Sequence, residues 1–235
     1  MPITTIIFDL GGVILNLDYN KTIEAFRALG ARNIEKVYNP EVHFQSPLFD
    51  QFELNDIPSE QFRAGVKQAL EITDVTDDEF DSAWNAMLLD IPQNRLDTIR
   101  TLRDKGYNVL LFSNTNQIHF DALSRTLMRE DRFDLFPAYF NNEYYSFIYR
   151  KKKPEPDSFL KILRENKATP KETLFIDDTL GNIQGAQQAG LYTFYFTRGR
   201  TFSDVLIQLR DLEIDIAQRE REETKKDNSC KCVLM

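Results

Sequence analysis

The chain has 235 residues, of which 42% are hydrophobic and 28% are charged, and its formal net charge is −8. These values are typical of a folded protein with one α/β domain, or with a core domain that carries a smaller insertion. The acidic balance excludes a general nucleic-acid binder, because contacts with phosphates need a basic surface. No apolar run approaches the roughly 18 residues of a membrane span.

The termini indicate where the protein works. The N-terminus lacks the basic and then apolar layout of a secretory signal, since its apolar run is already the first predicted strand. The only two cysteines, Cys230 and Cys232, lie near the C-terminus, so the body of the chain has no disulfide framework. We therefore expect a protein of the reducing cytoplasm.

The first predicted element is a buried strand that ends at a carboxylate. Residues 3–8 form an apolar run, the pattern of a parallel strand buried on both faces. Asp9 follows at its carboxyl end, where open α/β sheets place their ligands, and Gly11 and Gly12 allow a close approach of the backbone. Taken alone, the pattern also fits an Asp that caps a turn in a Gly-rich loop.

Residues 20–90 show helical rather than strand periodicity. Apolar residues recur at helical spacing in "NKTIEAFRALGA", "IPSEQFRAGVKQALEI" and "TDDEFDSAWNAML", with Ser59 and Thr76 as candidate N-caps. We expect a helical cap at residues 17–91, inserted between the first strand and the next. Its aromatic side chains are predicted to form the core of the cap rather than a ligand cage.

Helices and strands alternate from about residue 93 onwards, which predicts a parallel sheet with right-handed crossovers. The expected fold is a doubly wound, three-layer α/β/α core made of residues 1–16 and 92–212. The polar segment 213–235 contains "REREETKKDNS" and is predicted to be a fraying helix end or a tether.

Three further stretches place polar side chains near a predicted strand end or helix start: Ser113 and Asn114 in "VLLFSNT", Asp177 and Asp178 in "LFIDDTLGN", and Lys153 before a helix predicted to begin at Pro154. In a doubly wound sheet these groups converge with Asp9 at one crevice. Each stretch alone has an ordinary alternative, namely a helix cap for the first two and a solvated basic face for "RKKK" at residues 150–153.

The order of these motifs resembles that of the haloacid dehalogenase-like hydrolase superfamily, in the branch with a helical cap after the first strand. The resemblance covers about residues 3–200. It rests on "FDLGGV" around Asp9, on Ser113-Asn114, on "KPEPDSF" from Lys153 and on "FIDDTLGN". The "FDLGGV" form is similar to that of sugar-phosphate phosphatases.

The resemblance implies a catalytic role for each motif. Asp9 would attack phosphorus and form an aspartyl-phosphate, which splits one difficult hydrolysis into two steps. Mg²⁺ would be held by the Asp9 carboxylate, the Gly11 carbonyl and Asp178, with Asp177 binding it directly or through another ligand. Lys153 would neutralise the phosphate and orient Asp9, while Ser113 and Asn114 would hold the phosphoryl oxygens.

The expected activity is Mg²⁺-dependent hydrolysis of a small phosphorylated metabolite such as a sugar phosphate. One position departs from the pattern, because many phosphatases of the superfamily carry a second Asp where this chain has Gly11. That Asp acts as a general acid and base, a kind of help that contributes roughly 10²–10⁴-fold. Asp18, His43 or a residue of the cap is a candidate substitute, although Asp18 is first predicted to cap a helix.

Two other functions stay open at this point. A haloacid dehalogenase also uses an attacking Asp without the second one, and it needs no metal. Against it, Gly11 lacks the bulky side chain that those enzymes share, and a cation explains the Asp177-Asp178 pair better. The other alternative is a catalytically weak, phosphate-binding scaffold tethered to membranes.

The C-terminal sequence predicts a lipid attachment site. Cys232-Val233-Leu234-Met235 fits the prenylation pattern, with Met favouring a farnesyl group, and Cys230 is a candidate for a second lipid. One prenyl chain anchors weakly, so stable attachment needs a second signal. In a eukaryotic cytoplasm this tail is expected to attach the protein to membranes, and otherwise to be an ordinary polar end.

Overall fold

The computed structural model describes residues 2–34, 37–39, 43–44 and 47–233 of the chain. This part contains seven strands: β1 (Thr5–Phe8), β2 (Tyr38–Asn39), β3 (His43–Phe44), β4 (Asn108–Ser113), β5 (Asn142–Tyr145), β6 (Thr173–Asp177) and β7 (Tyr192–Tyr195). It also contains ten α-helices: α1 (Tyr19–Ala28), α2 (Pro47–Glu53), α3 (Ser59–Leu70), α4 (Asp77–Trp84), α5 (Gln93–Asp104), α6 (Gln117–Arg129), α7 (Ser146–Tyr149), α8 (Pro156–Glu165), α9 (Leu180–Gln188) and α10 (Phe202–Val233).

Five strands form one parallel sheet in the order β5-β4-β1-β6-β7. β1 is the central strand, and its last residue, Phe8, lies level with Leu111 of β4 and Ile176 of β6. Because the strands are parallel, their carboxyl ends share one edge of the sheet, which is the ligand-binding edge of open α/β folds. The predicted parallel α/β fold is confirmed.

Helices cover both faces of this sheet. Ile6 and Phe8 pack in an apolar cluster with side chains of α5 and α10, whereas Ile7 points the other way and packs with side chains of α8 and α9. This alternation follows from the period of two along a strand. The sheet is therefore the middle layer of three, and β1 is buried on both faces as its apolar run predicts.

Helices α1 to α4 enclose an apolar cluster of their own. Its members include Phe26, Phe62, Phe80 and Trp84, with Ile118 of α6 packed against it. The rings of Phe52 and Phe62 stack with their centroids 4.1 Å apart. The aromatic residues of this segment thus form a core, as the sequence predicts.

The chain leaves the sheet and returns to it at neighbouring points. The Asn16 N–H donates to the Asp90 carbonyl at 2.9 Å, and the Leu89 N–H donates to the Asn16 carbonyl at 3.0 Å. An antiparallel bridge joins Leu17 to Leu88. The two connections between the sheet and helices α1–α4 are therefore held side by side by backbone hydrogen bonds.

Two local predictions in the helical segment were wrong. β2 and β3 pair antiparallel, with Tyr38 opposite Phe44, where only helices are predicted. Aromatic residues favour strands, and this pair stays outside the five-stranded sheet. Ser59 is the first residue of α3 rather than its N-cap, a position occupied by Pro58. Thr76 does cap α4, through a capping box with Glu79.

Two helix boundaries also differ from the prediction. α8 begins at Pro156 and not at Pro154, because Pro156 disfavours the helical conformation in Glu155 and itself suits the first helical position. α10 continues to Val233 through the segment predicted to be a fraying end or tether. Glu, Arg and Lys have high helix propensity, which favours this extension.

Among the described helices, none combines the length and apolar composition needed to cross a membrane.

Candidate active site

Asp9 lies at the carboxyl end of β1, on the wall of a cavity of about 710 Å³. Its backbone N–H donates to the Ile176 carbonyl at 2.9 Å, so it continues the pairing of β1 with β6. Its Oδ1 accepts hydrogen bonds from the Leu10 N–H at 2.7 Å and from Lys153 Nζ at 2.7 Å. These two contacts fix the orientation of a carboxylate whose side chain is 10% exposed.

Lys153 is buried between two carboxylates. Its Nζ lies 2.7 Å from Asp9 Oδ1 and 2.7 Å from Asp177 Oδ2, and it also lies over the rings of Phe112 and Phe175. Burial alone would lower the pKa of Lys153, but the charges of Asp177 and Asp9 outweigh it and raise the pKa above its usual value. Lys153 is therefore a fixed positive charge beside Asp9.

Three carboxylates crowd around this lysine. Asp9, Asp177 and Asp178 each place one oxygen so that the three oxygens lie within 4.8 Å of one another. Burial raises the pKa of Asp9 well above its usual value, although Lys153 opposes the shift. Burial and the charge of Asp177 raise the pKa of Asp178 to about 6. The three carboxylates form a compact set of oxygen donors, and one lysine does not neutralise all of their negative charge. Such a site fits Mg²⁺.

The two adjacent acids have different surroundings. Asp177 is fully buried, and besides Lys153 it accepts hydrogen bonds from the Thr179 N–H at 2.8 Å and from Asn182 Nδ2 at 3.1 Å. Asp178 lines the cavity. A Cβ on Gly12 would lie only 1.9 Å from Asp178 Oδ2, so this glycine makes room for the carboxylate. Asp178 is thus the more open of the two carboxylates, while Asp177 holds Lys153.

Ser113 and Asn114 lie where the sequence predicts, but they differ in what their side chains can do. Ser113 ends β4, is buried and lines the cavity together with Gly11. The Asn114 amide is instead bonded to the backbone of Lys153, which donates its N–H to Oδ1 at 2.9 Å and accepts from Nδ2 at 2.9 Å. Asn114 therefore supports the lysine through its side chain. It also lines the cavity, and its contact with phosphoryl oxygens stays a prediction.

The residues named as predicted substitutes for the missing second Asp are Asp18 and His43. Asp18 accepts a hydrogen bond from the Asn20 N–H at 3.1 Å and caps α1, as the sequence predicts, and it does not line the cavity. The side chain of His43 lies outside the described residues. The side chains of Cys230 and Cys232 lie outside them as well, so lipid attachment there stays a prediction.

His119 of α6 also lines the cavity, although no sequence pattern indicates it. Its Nδ1 donates to Asn85 Oδ1 at 2.8 Å, and its ring stacks on Trp84 with centroids 4.9 Å apart. Burial lowers the pKa of His119 to about 3, so the imidazole is neutral and its Nε2 is a hydrogen-bond acceptor. A lone His among apolar residues on a helix gives no sequence signal for this position.

Lys152 lines the cavity together with Asp50 and Glu53 of α2, and it too was not predicted from the sequence. Within the basic run 150–153 only Lys153 stands out in the sequence, because it directly precedes a proline. The acids that pair with Lys152 are about a hundred residues earlier in the chain, so spacing could not reveal the contact.

Comparisons with known proteins agree with this geometry. Residues 3–190 match the family described as haloacid dehalogenase-like hydrolase. A D-ribitol-5-phosphate phosphatase from Bacteroides thetaiotaomicron is 31% identical over 195 residues, which cover 82% of this chain and 91% of that protein.

Solved structures show the same fold. One of them is a variant of the haloacid dehalogenase family enzyme BT-2542 from Bacteroides thetaiotaomicron, in complex with magnesium and inorganic phosphate. Its sequence is 35% identical and its TM-score is 0.78, and the match covers 87% of this chain and 98% of that one. A Porphyromonas gingivalis protein described as a predicted hydrolase of this type is 29% identical with a TM-score of 0.76, covering 89% and 98%. The chain therefore belongs to the haloacid dehalogenase-like hydrolase family.

Proposed function

We propose that this protein is a Mg²⁺-dependent phosphatase that hydrolyses a small sugar phosphate or sugar-alcohol phosphate through an aspartyl-phosphate on Asp9. The observation that carries the proposal is the pairing of Asp9 Oδ1 with the buried Lys153 ammonium, beside Asp177 and Asp178, whose carboxylates each place an oxygen within 4.8 Å of one on Asp9. The likeness to a D-ribitol-5-phosphate phosphatase, and to an enzyme that binds magnesium and phosphate, supports it.

The residues present can carry out the two steps of this hydrolysis. In the first step an Asp9 carboxylate oxygen attacks phosphorus, a new O–P bond forms, and the bond from phosphorus to the alcohol oxygen breaks, so that this oxygen takes a proton from solvent and leaves as the alcohol. Lys153 holds Oδ1 and so leaves Oδ2 for the attack. In the second step water attacks the same phosphorus and gives a proton to solvent, the bond to Asp9 breaks, and inorganic phosphate and the free carboxylate result.

The negative charges of the phosphate and of Asp9 determine which residues assist the reaction. Two anions must meet in the first step, and bound Mg²⁺ would supply positive charge at the point of their contact. Asp9 and Asp178, with the Gly11 carbonyl, would hold the ion, while Asp177 acts mainly through Lys153. Ser113 lies at the end of β4, where its hydroxyl can donate to a phosphoryl oxygen.

The walls of the cavity favour a small substrate with hydroxyl groups. A volume of about 710 Å³ is within the usual range for small-ligand sites. Residues 17–91 would act as the cap, because α2 and α4 contribute Phe49, Phe52 and Trp84 to the wall. Among these apolar surfaces the neutral Nε2 of His119 can accept a hydrogen bond from a substrate hydroxyl.

The alternatives are less favoured by the same site. A dehalogenase needs no cation, yet three carboxylates crowd around one lysine here. The likeness to solved L-2-haloacid dehalogenases is 18% in sequence, which shows the fold alone. A scaffold without catalysis would not require the close contact of Lys153 with Asp9.

The test compares Asp9→Asn with Asp18→Asn, measuring phosphate release from ribitol 5-phosphate with and without Mg²⁺. The first change keeps the shape but removes the attacking charge, so turnover and the covalent phosphoenzyme seen by intact mass should both disappear. Asp18→Asn is the control, because Asn caps α1 as well as Asp does. Wild-type activity in Asp9→Asn would refute the nucleophile.

The same assay separates the alternatives. Chloride release from 2-chloropropionate without phosphate release would support a dehalogenase. Binding of phosphate without turnover of ribitol 5-phosphate, other sugar phosphates or an aryl phosphate would support a scaffold. Phosphate release that survives full chelation of divalent ions would contradict the role of Mg²⁺.

A further inference from the structure

The basic run 150–153 faces two parts of the molecule. Lys153 points to Asp9, whereas the neighbouring Lys152 points to α2, in the helical segment. Its Nζ lies 2.5 Å from Asp50 Oδ1 and 2.8 Å from Glu53 Oε2. The Lys152 side chain is 16% exposed and that of Glu53 is 29% exposed, whereas Asp50 is 70% exposed, so the pair with Glu53 is better shielded from solvent than an ordinary surface ion pair.

A second contact joins the same two regions. Arg150 donates to the Asn55 carbonyl at 3.1 Å and to Asp56 Oδ1 at 2.5 Å, just beyond the end of α2. Lys151 behaves differently, since its Nζ pairs with Asp157 of α8, 3.2 Å away and on its own side of the molecule. Of the four residues in the run, Lys152 therefore reaches α2 and Arg150 reaches the turn just after it, whereas Lys151 and Lys153 contact neither.

The backbone that carries Lys152 and Lys153 is firmly held. The Lys152 carbonyl accepts a hydrogen bond from Ser158 Oγ at 2.7 Å. The Lys153 N–H and carbonyl both bond to the Asn114 amide, at 2.9 Å each. Two adjacent side chains on one fixed backbone thus connect α2 with the nucleophile Asp9.

The loss of Lys152 would leave the buried Glu53 carboxylate without its main positive partner. Burial raises the pKa of Glu53, and Lys152 is the main group that opposes this shift. Removing one partner of a shielded pair leaves the other charge desolvated without compensation. An outward movement of α2 would then return the Glu53 carboxylate to water and so lower its free energy. Such a movement would also shift Phe49 and Phe52 of α2, which line the cavity.

We propose that Lys152 is a positioning residue, which ties α2 to the loop of Lys153 so that the cavity wall and the nucleophile keep one fixed arrangement. This inference rests on the proposed function, because it assigns a role to Lys152 in the same site. It predicts that Lys152 acts through Glu53 and Asp50 rather than by binding the substrate itself.

The experiment compares Lys152→Ala with Lys151→Ala, which removes an equal charge one residue away. With ribitol 5-phosphate and Mg²⁺, Lys152→Ala should raise KM about tenfold with a smaller fall in kcat, in line with ordinary coupling between contacting residues. Lys151→Ala should stay within about twofold of the wild type. Lys152→Arg, which keeps the charge, should recover most of the loss.

A double-mutant cycle with Glu53→Gln tests the route of the effect. If Lys152 acts through Glu53, the double variant should be no worse than Lys152→Ala alone. Additive losses would overturn the proposal and indicate a direct contact of Lys152 with substrate. Equal KM values for the Lys152→Ala and Lys151→Ala variants would overturn it as well.

Hydrogen exchange gives a measurement that does not depend on catalysis. Amides of residues 47–53 should exchange faster in Lys152→Ala than in Lys151→Ala, because α2 has lost its tie. Equal exchange in folded variants would refute the proposal even if the enzyme is active. Faster exchange in a protein without phosphatase activity would uphold the tie and refute only the proposed function. Should Lys152→Ala fail to fold, Lys152→Gln provides the same comparison.

Discussion

Gly12 controls how closely the loop after β1 approaches Asp178. Its φ is +73°, a conformation that side chains other than glycine rarely adopt, and a Cβ here would lie 1.9 Å from Asp178 Oδ2. Gly12→Ala should therefore lower the free energy of unfolding by at least about 1 kcal/mol. It should also displace Asp178 and reduce phosphatase activity and Mg²⁺ affinity, measured by kinetics and by calorimetric titration.

Gly30→Ala is the matched control for this prediction. Gly30 has a φ of +96°, but nothing lies within 4 Å of a Cβ built there. Both substitutions thus strain the backbone, but only Gly12→Ala brings a Cβ against the Asp178 carboxylate. Gly30→Ala should lose similar stability and keep wild-type activity. If the two variants have the same activity, Gly12 has no special role in placing Asp178.

Most residues of the site were predictable because a strand end fixes their position, and Lys153 was predictable from its place directly before a proline. Asp9, Ser113 and the Asp177-Asp178 pair follow buried apolar runs, so the parallel sheet brings them together. The partners of Asn114 and Lys152 lie 39 residues and about a hundred residues away in sequence. Such contacts depend on how loops pack in three dimensions, for which a single sequence contains no periodic signal.

Helix α9 owes its position to Gly185. A Cβ at this residue would lie 1.8 Å from the carbonyl oxygen of Pro154, which is backbone and cannot rotate away. Gly185→Ala should push α9 away from the segment that carries Lys153 and cost about 1–3 kcal/mol, as overpacking does. Because Lys153 would move with this segment, kcat should also fall. Chemical denaturation and steady-state kinetics measure the two effects.

Gly181 on the same helix provides the comparison. Nothing lies within 4 Å of a Cβ built there, and its backbone is helical. Gly181→Ala should therefore leave activity unchanged and stabilise the protein by up to about 1 kcal/mol through helix propensity. A stable, active Gly185→Ala variant would show that α9 can approach Pro154 in another way.

Elements with strong periodicity were predicted well, and short or proline-rich ones were not. The helices around Phe62 and Phe80 and the strands β1, β4 and β6 follow from apolar spacing. β2 and β3 are two residues long each, too short for any periodic pattern. The start of α8 depends on which of two nearby prolines occupies the first helical turn, and Pro156 decides it because it disfavours the helical conformation in Glu155.

His119 links the sheet-side helix α6 to the helical segment, so its protonation affects the whole molecule. Its pKa is about 3 in the folded protein, against about 6.5 in an unfolded chain. Below pH 6.5 the unfolded state binds the extra proton, so stability falls as the pH falls towards 3. Between pH 7 and pH 5 this single group should cost up to about 2 kcal/mol.

His119→Phe isolates this contribution. The variant keeps an aromatic ring against Trp84 and cannot titrate, while the remaining acidic groups are common to both proteins. Urea unfolding at pH 7 and pH 5 should show a larger loss for the wild type than for the variant. Equal losses would mean that His119 is already protonated, or is solvated, in the folded state.

The side-by-side pairing of Asn16 with Leu89 and Asp90 has an evolutionary consequence. The segment between these residues begins and ends at nearly the same place, so its length is not constrained by the spacing of the sheet strands. Asp9, Lys153 and Asp178 all come from outside it. Replacement of this one segment would thus change the cavity wall around an unchanged set of Asp9, Lys153 and Asp178, provided that the new segment also carries acidic partners for Lys152.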